Sequence, residues 1–255
     1  MVKKYNTSCG VSKTLTMEGS MKIHYSELDL YLQCPQAYYQ RYVLGVKDEQ
    51  ESSALHFGTA LHLAIKNHFE GEDGLETFRM YWESMKSVDM VYYRHNWEML
   101  NDLAINKFIP NFIKFHAKKY SNPVMVQLCE IPLFMHPMHG QIYLEGTFDM
   151  FSEYGGIPTM TDWKTSSAEY KKFKLDKNPQ LYIYSALYKE KYGALPKAIQ
   201  YKVFRKDNGS IQTLQKELTE QDLTRQLDNC TAIIKMMLNS RAENLWPHSF
   251  SCFCK

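Results

Sequence analysis

Glu145-Gly146-Thr147-Phe148-Asp149 and, after a short gap, Thr161-Asp162-Trp163-Lys164-Thr165-Ser166 are the stretches on which the fold of this chain turns. Residues two apart on a strand share a face, so Asp162 and Lys164 point the same way. A carboxylate in that position can hold Mg²⁺ or Mn²⁺. The neighbouring ammonium can orient an attacking water, or help deprotonate it, beside a phosphate. One acid-x-lysine tripeptide occurs often by chance on solvated surfaces, so its company matters. Gly155-Gly156-Ile157-Pro158 stands between the two stretches as a turn. That predicts an antiparallel pair of strands with Asp149 near Asp162.

Working outward, Val124, Val126, Leu128 and Glu130 fall on one phase of an alternating run and predict a third strand that carries an acid. Phe57-Gly58-Thr59-Ala60-Leu61-His62 places an imidazole in the first turn of a helix capped by Thr59. Gln180 and Tyr184, four apart, share a face of a later helix. Helices are expected from Tyr25 to Val43, with Ser26 as cap and Pro35 restarting the second, from Thr59 to Phe69, and through Gly74 to Phe115. Strands follow at about 124–134, 141–151 and 159–164, then a helix at about 179–192 that ends near Gly193 and Pro196. Ile199 to Arg205 and Ile211 to Leu214 flank Asp207-Asn208-Gly209, a hairpin signal. Thr219 caps a long amphipathic helix with Leu223, Leu227, Ile234 and Leu238 on one face. The pattern is α/β with a small mixed sheet, and there are no repeats or long linkers.

At 255 residues and 44% hydrophobic content the chain can bury a full core, as one large domain or as a core with a helical lobe. A formal net charge of +2 is near neutral, so a surface for DNA has to be local. Lys114 to Lys119 form one basic patch; Lys171 and Lys172 with Lys174 and Lys177 form another, favoured because it follows the Asp162 strand. The 18 tyrosines suit stacking along a single strand of nucleic acid and equally suit a tyrosine-rich core. No apolar run of about 18 residues offers a membrane span. The first 22 residues lack a signal-peptide stretch, read as a mobile arm, and leave a cytoplasmic protein as the expectation. No G-x-x-x-x-G-K-[ST] sequence occurs, so any unwinding of DNA falls to a helicase partner.

In order and spacing, FGTALH, Glu130, EGTFD, TDWKTS and QLYIY resemble the RecB-like branch of the PD-(D/E)XK nucleases, which includes exonucleases of CRISPR adaptation and phage recombination. Tyr25-Ser26-Glu27-Leu28 through Tyr31-Leu32-Gln33-Cys34-Pro35 and Tyr38-Tyr39 fit the same pattern, and the likeness runs from about Tyr25 to the C-terminus. The resemblance implies a restriction-endonuclease-like core, a small mixed sheet flanked by helices, with an N-terminal helical lobe. On that reading 1–22 is an arm and 23–255 is one nuclease domain with a helical insertion at about 70–120.

It also implies roles. His62, Asp149 and Asp162 would be ligands of Mg²⁺ or Mn²⁺, with a backbone carbonyl beside Lys164 completing the shell. Lys164 would be the catalytic lysine, and Glu130 an acid that some members place on the first core strand. Gln180 and Tyr184 would position DNA near the scissile phosphate, with Lys171 and Lys172 nearby. The substrate would be DNA, single-stranded or with duplex ends, in recombination, repair or phage or CRISPR-type processing. Some relatives hold a [4Fe–4S] cluster on one early and three late cysteines. Here Cys34, Cys230, Cys252 and Cys254 are the residues available to one, but the tail supplies only a C-x-C pair, so buried or reduced thiols are the preferred reading.

Each residue also has a plainer reading. His62 is flanked by Leu61, Ala64 and Ile65 and would sit as a core-boundary histidine; Asp149 and Asp162 would cap turns; Lys164 would be a surface lysine; Gln180 and Tyr184 would be packing among Tyr182 and Tyr188. Three functions compete accordingly. A metal-dependent DNA nuclease comes first, a catalytically silent nucleic-acid-binding or assembly subunit with the same fold second, and a hydrolase of small phosphate esters third. The intact set of His62, Asp149, Asp162 and Lys164 favours the first.

Overall fold

Gly155 and Gly156 both take positive φ, +59° and +81°, a conformation that two side chains would strain. That two-residue turn joins β-strands whose ends pair Tyr154 with Ile157 and, further in, Met150 with Thr161. The surrounding elements come from a computed structural model that describes residues 15–16, 19–46 and 50–249.

In chain order, β1 (Leu15–Thr16) and β2 (Ser20–His24) precede α1 (Tyr25–Gln33) and α2 (Pro35–Tyr38), which runs into a π-helical turn at Tyr39–Val43. Then come β3 (Glu51–Ser52), α3 (Ser53–Phe69), α4 (Gly74–Ser84), β4 (Met90–Val91), α5 (Trp97–Asp102) and α6 (Ile109–Asn111). A long pair, β5 (Tyr120–His136) and β6 (Gly140–Tyr154), leads into β7 (Ile157–Ser166), α7 (Phe173–Lys177) and α8 (Gln180–Tyr192). Next are β8 (Ala198–Arg205), β9 (Ile211–Glu217) and α9 (Glu220–Glu243). All of these strands except β3 and β4 belong to one seven-stranded mixed sheet with helices about it, the expected fold class.

The chain divides into two compact units. One draws on the described residues up to 46, 132–145 and 231–249; the other on 50–131 and 146–230. In the first, β2 pairs in parallel with the start of β6, from Ser20 against Gln141 to His24 against Glu145. His24 lies opposite Glu145 and 2.9 Å from its carboxylate. His24 also precedes α1, where its backbone N–H donates to Glu27 Oε1 at 3.3 Å, so His24 is the cap and the expected Ser26 lies inside the helix. Pro35 does open α2 at its first position, as expected.

In the second unit, β6 and β7 are antiparallel, β7 and β8 parallel, and β8 and β9 antiparallel. The β8–β9 hairpin closes through Asp207-Asn208-Gly209, as the sequence suggests, with Gly209 at φ +74°. Thr219 accepts from Asp222 N at 3.0 Å and caps α9, and Gly193 ends α8 in the left-handed conformation, both as expected. Helix α3 corrects one expectation: it starts at Ser53 under the Ser52 cap, and the Thr59 hydroxyl donates back to Leu55 O inside the helix. The stretch from Gly74 to Phe115 is likewise interrupted, at β4, which pairs with β3. Phe57, Leu61, Phe78, Trp82, Phe108, Phe112, Trp163 and Phe204 form the core beneath α3, and burying each contributes on the order of 2 kcal/mol.

Candidate active site

The alternation of β7 sets the site. Trp163 points into the aromatic core and is 1% exposed, so its neighbours Asp162 and Lys164 emerge on the other face. The two lie in ion contact, Lys164 Nζ 2.8 Å from Asp162 Oδ2. Asp149 on β6 is held by the backbone of the same tripeptide, its Oδ2 accepting from Trp163 N at 2.8 Å. His62 arrives from the third turn of α3. Its Nε2 donates to Trp163 O at 2.8 Å and its Nδ1 stands 3.3 Å from Asp149 Oδ1. Trp163 is therefore the pivot of the site through its backbone: its N–H holds one carboxylate and its carbonyl holds the imidazole.

Charge is distributed unevenly over these groups. Burial, helped by the charge of Asp149, pushes the Asp162 carboxyl up to about 6 against the pull of Lys164. Asp149 also suffers burial, but His62, Lys164 and the Trp163 N–H more than offset it and hold its carboxyl below the usual range. Burial likewise opposes the cations, yet the two aspartates outweigh it and raise both His62 and Lys164, so each keeps its proton more firmly than in water.

The donor set suits a hard divalent cation: two carboxylates, the Trp163 carbonyl and an imidazole. Asp162 is buried with Lys164 Nζ on its Oδ2, and its carboxylate keeps lone pairs for a ligand. Side chains alone do not make a metal site, because among the described residues no three His, Cys, Asp or Glu groups are so arranged. Both nitrogens of His62 are engaged by its prospective co-ligands, and the backbone carbonyl is needed to complete the set.

A sequence profile of the PD-(D/E)XK nuclease superfamily matches residues 23–252. The chain belongs to that superfamily. No curated protein matches it. Among solved structures, a Eubacterium rectale protein with a provisional exonuclease name is similar, at 14% identity over 91% of this chain and 86% of that one, with a TM-score of 0.59. That likeness is one of fold. SSO0001 (13% identity, 84% and 83% covered, TM-score 0.32) and Scheffersomyces stipitis Rai1 (12%, 86% and 70%, TM-score 0.26) superpose too loosely to bear on this chain. Nuclease chemistry is thus the coarse function that the superfamily gives this chain.

The other sequence candidates fall in different places. Gln180 and Tyr184 are joined directly, Gln180 Nε2 donating to Tyr184 OH at 2.9 Å on α8, which packs against β7. Gly146 lets this happen: a Cβ there would come within 3.1 Å of Tyr184 Cε1 and Leu187 Cδ1. Glu130 lies exposed on β5. Lys171 and Lys172 are exposed just before α7, Lys171 paired with Glu169 at 3.3 Å. Cys34 and Cys230 are buried, and burial pushes the Cys230 thiol up to about 12, far from the thiolate a cluster needs. Cys252 and Cys254 lie outside the described residues. The resemblance had implied a backbone carbonyl beside Lys164; what the sequence did not offer was the Trp163 N–H that holds Asp149, since no side chain signals it.

Proposed function

We propose that this protein is a metal-dependent DNA nuclease, working as an exonuclease of the RecB-like kind in recombination, repair or phage or CRISPR-type processing. The observation that supports it is the convergence of Asp149, Asp162, Lys164 and His62 about the Trp163 backbone in a chain of a nuclease superfamily. Asp149, Asp162, His62 and the Trp163 carbonyl would hold Mg²⁺ or Mn²⁺. Such an ion would supply charge against the phosphate and acidify a water. Lys164, kept protonated by its two aspartates, orients that water and offsets the negative charge that develops on the phosphate. Gln180 and Tyr184, locked together, position the strand from α8. The exonuclease assignment draws on the name of the Eubacterium rectale neighbour as well.

A soluble cytoplasmic setting and a separate helicase or recombination partner belong to the same proposal. Among the described residues no helix is long and apolar enough to cross a membrane. The test is cleavage of end-labelled linear and circular DNA, single- and double-stranded, with Mg²⁺, Mn²⁺ or EDTA. Linear DNA should be degraded from its ends with either metal and spared in EDTA. Binding of DNA without cleavage under every metal condition would instead make the protein the silent subunit.

A further inference from the structure

Between β7 and α7 the chain leaves the sheet and turns back, and one residue of this connection returns to the site. Gln212 of β9 grips the backbone of Tyr170 from both sides: Tyr170 N donates to Gln212 Oε1 at 2.9 Å, and Gln212 Nε2 donates to Tyr170 O at 2.9 Å. The amide thus stands in for a neighbouring strand and fixes a loop residue as firmly as a ladder would. Ser166 stiffens the start of the loop, accepting from Ala168 N at 3.1 Å, while Lys206 N donates to Ser166 O at 2.7 Å.

So fixed, the Tyr170 ring meets the edge of Tyr201 at 6.0 Å, and Lys164 Nζ lies 5.9 Å from the centroid of that same Tyr201 ring. Tyr170 is within electrostatic reach of both Lys164 and Asp162. Lys174, the second residue of α7, places its Nζ 3.7 Å over the Tyr170 ring, so one face of the ring is closed to a stacking base. The phenol is only partly buried, and the hydrogen bonds described for Tyr170 are those of its backbone. A tyrosine that only packed against Tyr201 would serve as well without that hydroxyl. Here the ring carries a hydroxyl donor within electrostatic reach of an ion pair and under the ammonium of exposed Lys174.

We propose that Tyr170 contacts the substrate, its hydroxyl donating to a phosphate oxygen of the nucleic acid beside Lys164, while Lys174 over its ring supplies charge to the adjoining phosphate. This rests on the nuclease reading and extends it to residues outside the acid-x-lysine and Gln180–Tyr184 sets. The contact is made before and during reaction alike, so its loss weakens binding without slowing the bound complex.

The full chain, with Mn²⁺ at one fixed salt concentration, is assayed on a labelled single-stranded oligonucleotide and on the matching duplex. Tyr170→Phe should raise KM about ten-fold at unchanged kcat and unchanged melting temperature, since a hydrogen bond to a charged oxygen is lost. Tyr170→Ala should do no worse in KM than Tyr170→Phe. Lys174→Met should reduce the dependence of log KM on log salt by about one phosphate contact. If Tyr170→Phe matches the wild type while Tyr170→Ala fails or melts early, the ring only packs and the proposal is overturned. Should the wild type cleave no nucleic acid at all, the nuclease reading fails first and the proposal falls with it.

Discussion

Lys164 on β7 is half-buried and Lys202 on β8 is fully buried, on opposite faces of neighbouring strands. Trp163 is registered with Lys202, and Lys164 with Val203, so the two ammonium groups point apart. Lys164 faces two aspartates and keeps its proton above the usual range. Lys202, with no exposed surface, meets Thr213 Oγ1 at 2.7 Å, Tyr154 OH at 3.0 Å and His116 Nδ1 at 3.3 Å, and no carboxylate pairs with it among the described residues. Burial, and then Lys119, pulls it down to about 7. His116 in turn is pushed down to about 4 by burial and by the same two lysines. Partners and depth together set a lysine's charge. Where carboxylates answer it, the amine stays a cation fit for phosphate chemistry; where only hydroxyls and an imidazole do, it becomes a near-neutral hydrogen-bond donor of the core.

The same substitution at both positions breaks or sharpens that contrast. Lys164→Met should lower cleavage about 1000-fold while Mn²⁺ binding and DNA binding persist, and Asp162→Asn should cost at least as much without unfolding the protein. Initial rates with calorimetric metal binding decide this; wild-type turnover in either variant would remove these residues from the chemistry.

Lys202→Met should leave cleavage within about two-fold and raise stability at pH 7 by ~1–2 kcal/mol, because a buried amine whose protonation is disfavoured is replaced by an apolar chain of similar length. The sign follows from linkage. The folded state holds this proton less tightly than the unfolded chain, so stability rises with pH between about 7 and the ordinary lysine value near 10. In Lys202→Met that rise should flatten. Urea unfolding at several pH values from 6.5 to 9.5 measures it, and an unchanged slope would show that Lys202 is charged in the fold.

Smaller effects belong to α8. Gly146→Ala should force the Tyr184 ring aside, costing ~1–2 kcal/mol in stability and several-fold in cleavage. Tyr184→Phe keeps the ring but loses the bond from Gln180, and should cost only about three- to ten-fold, read mainly in DNA affinity at fixed salt. A loss from Tyr184→Phe as large as that from Lys164→Met would move the chemistry toward α8.

What the sequence made legible was what local rules control. Gly155-Gly156 and Asp207-Asn208-Gly209 named their hairpins because only a few residues tolerate positive φ there, and strand alternation placed Asp162 with Lys164. The start of α3 was misread because Ser52 and Thr59 are both competent caps, and only the tertiary burial of Phe57 chooses between them. The Trp163 carbonyl that His62 meets was reached only through the family resemblance, since a carbonyl oxygen carries no residue identity. Lys202 read as one more residue of a strand, and Tyr170 drew no reading, because the partners that define them, His116 and Gln212, stand 86 and 42 positions away.

The Gly155-Gly156 turn has a consequence for how this chain can change over time. Surface loops ordinarily absorb insertions and deletions at little cost. This one cannot gain or lose a single residue with β7 keeping its place, because a shift of one would exchange the two faces of the strand. Trp163 would then meet water, while Asp162 and Lys164 would be driven among Phe57, Phe112 and Phe204. The tip of the hairpin acts as the reading frame of Asp162 and Lys164: sequence there can drift only within what positive φ allows, and length only by steps that keep the alternation of β7.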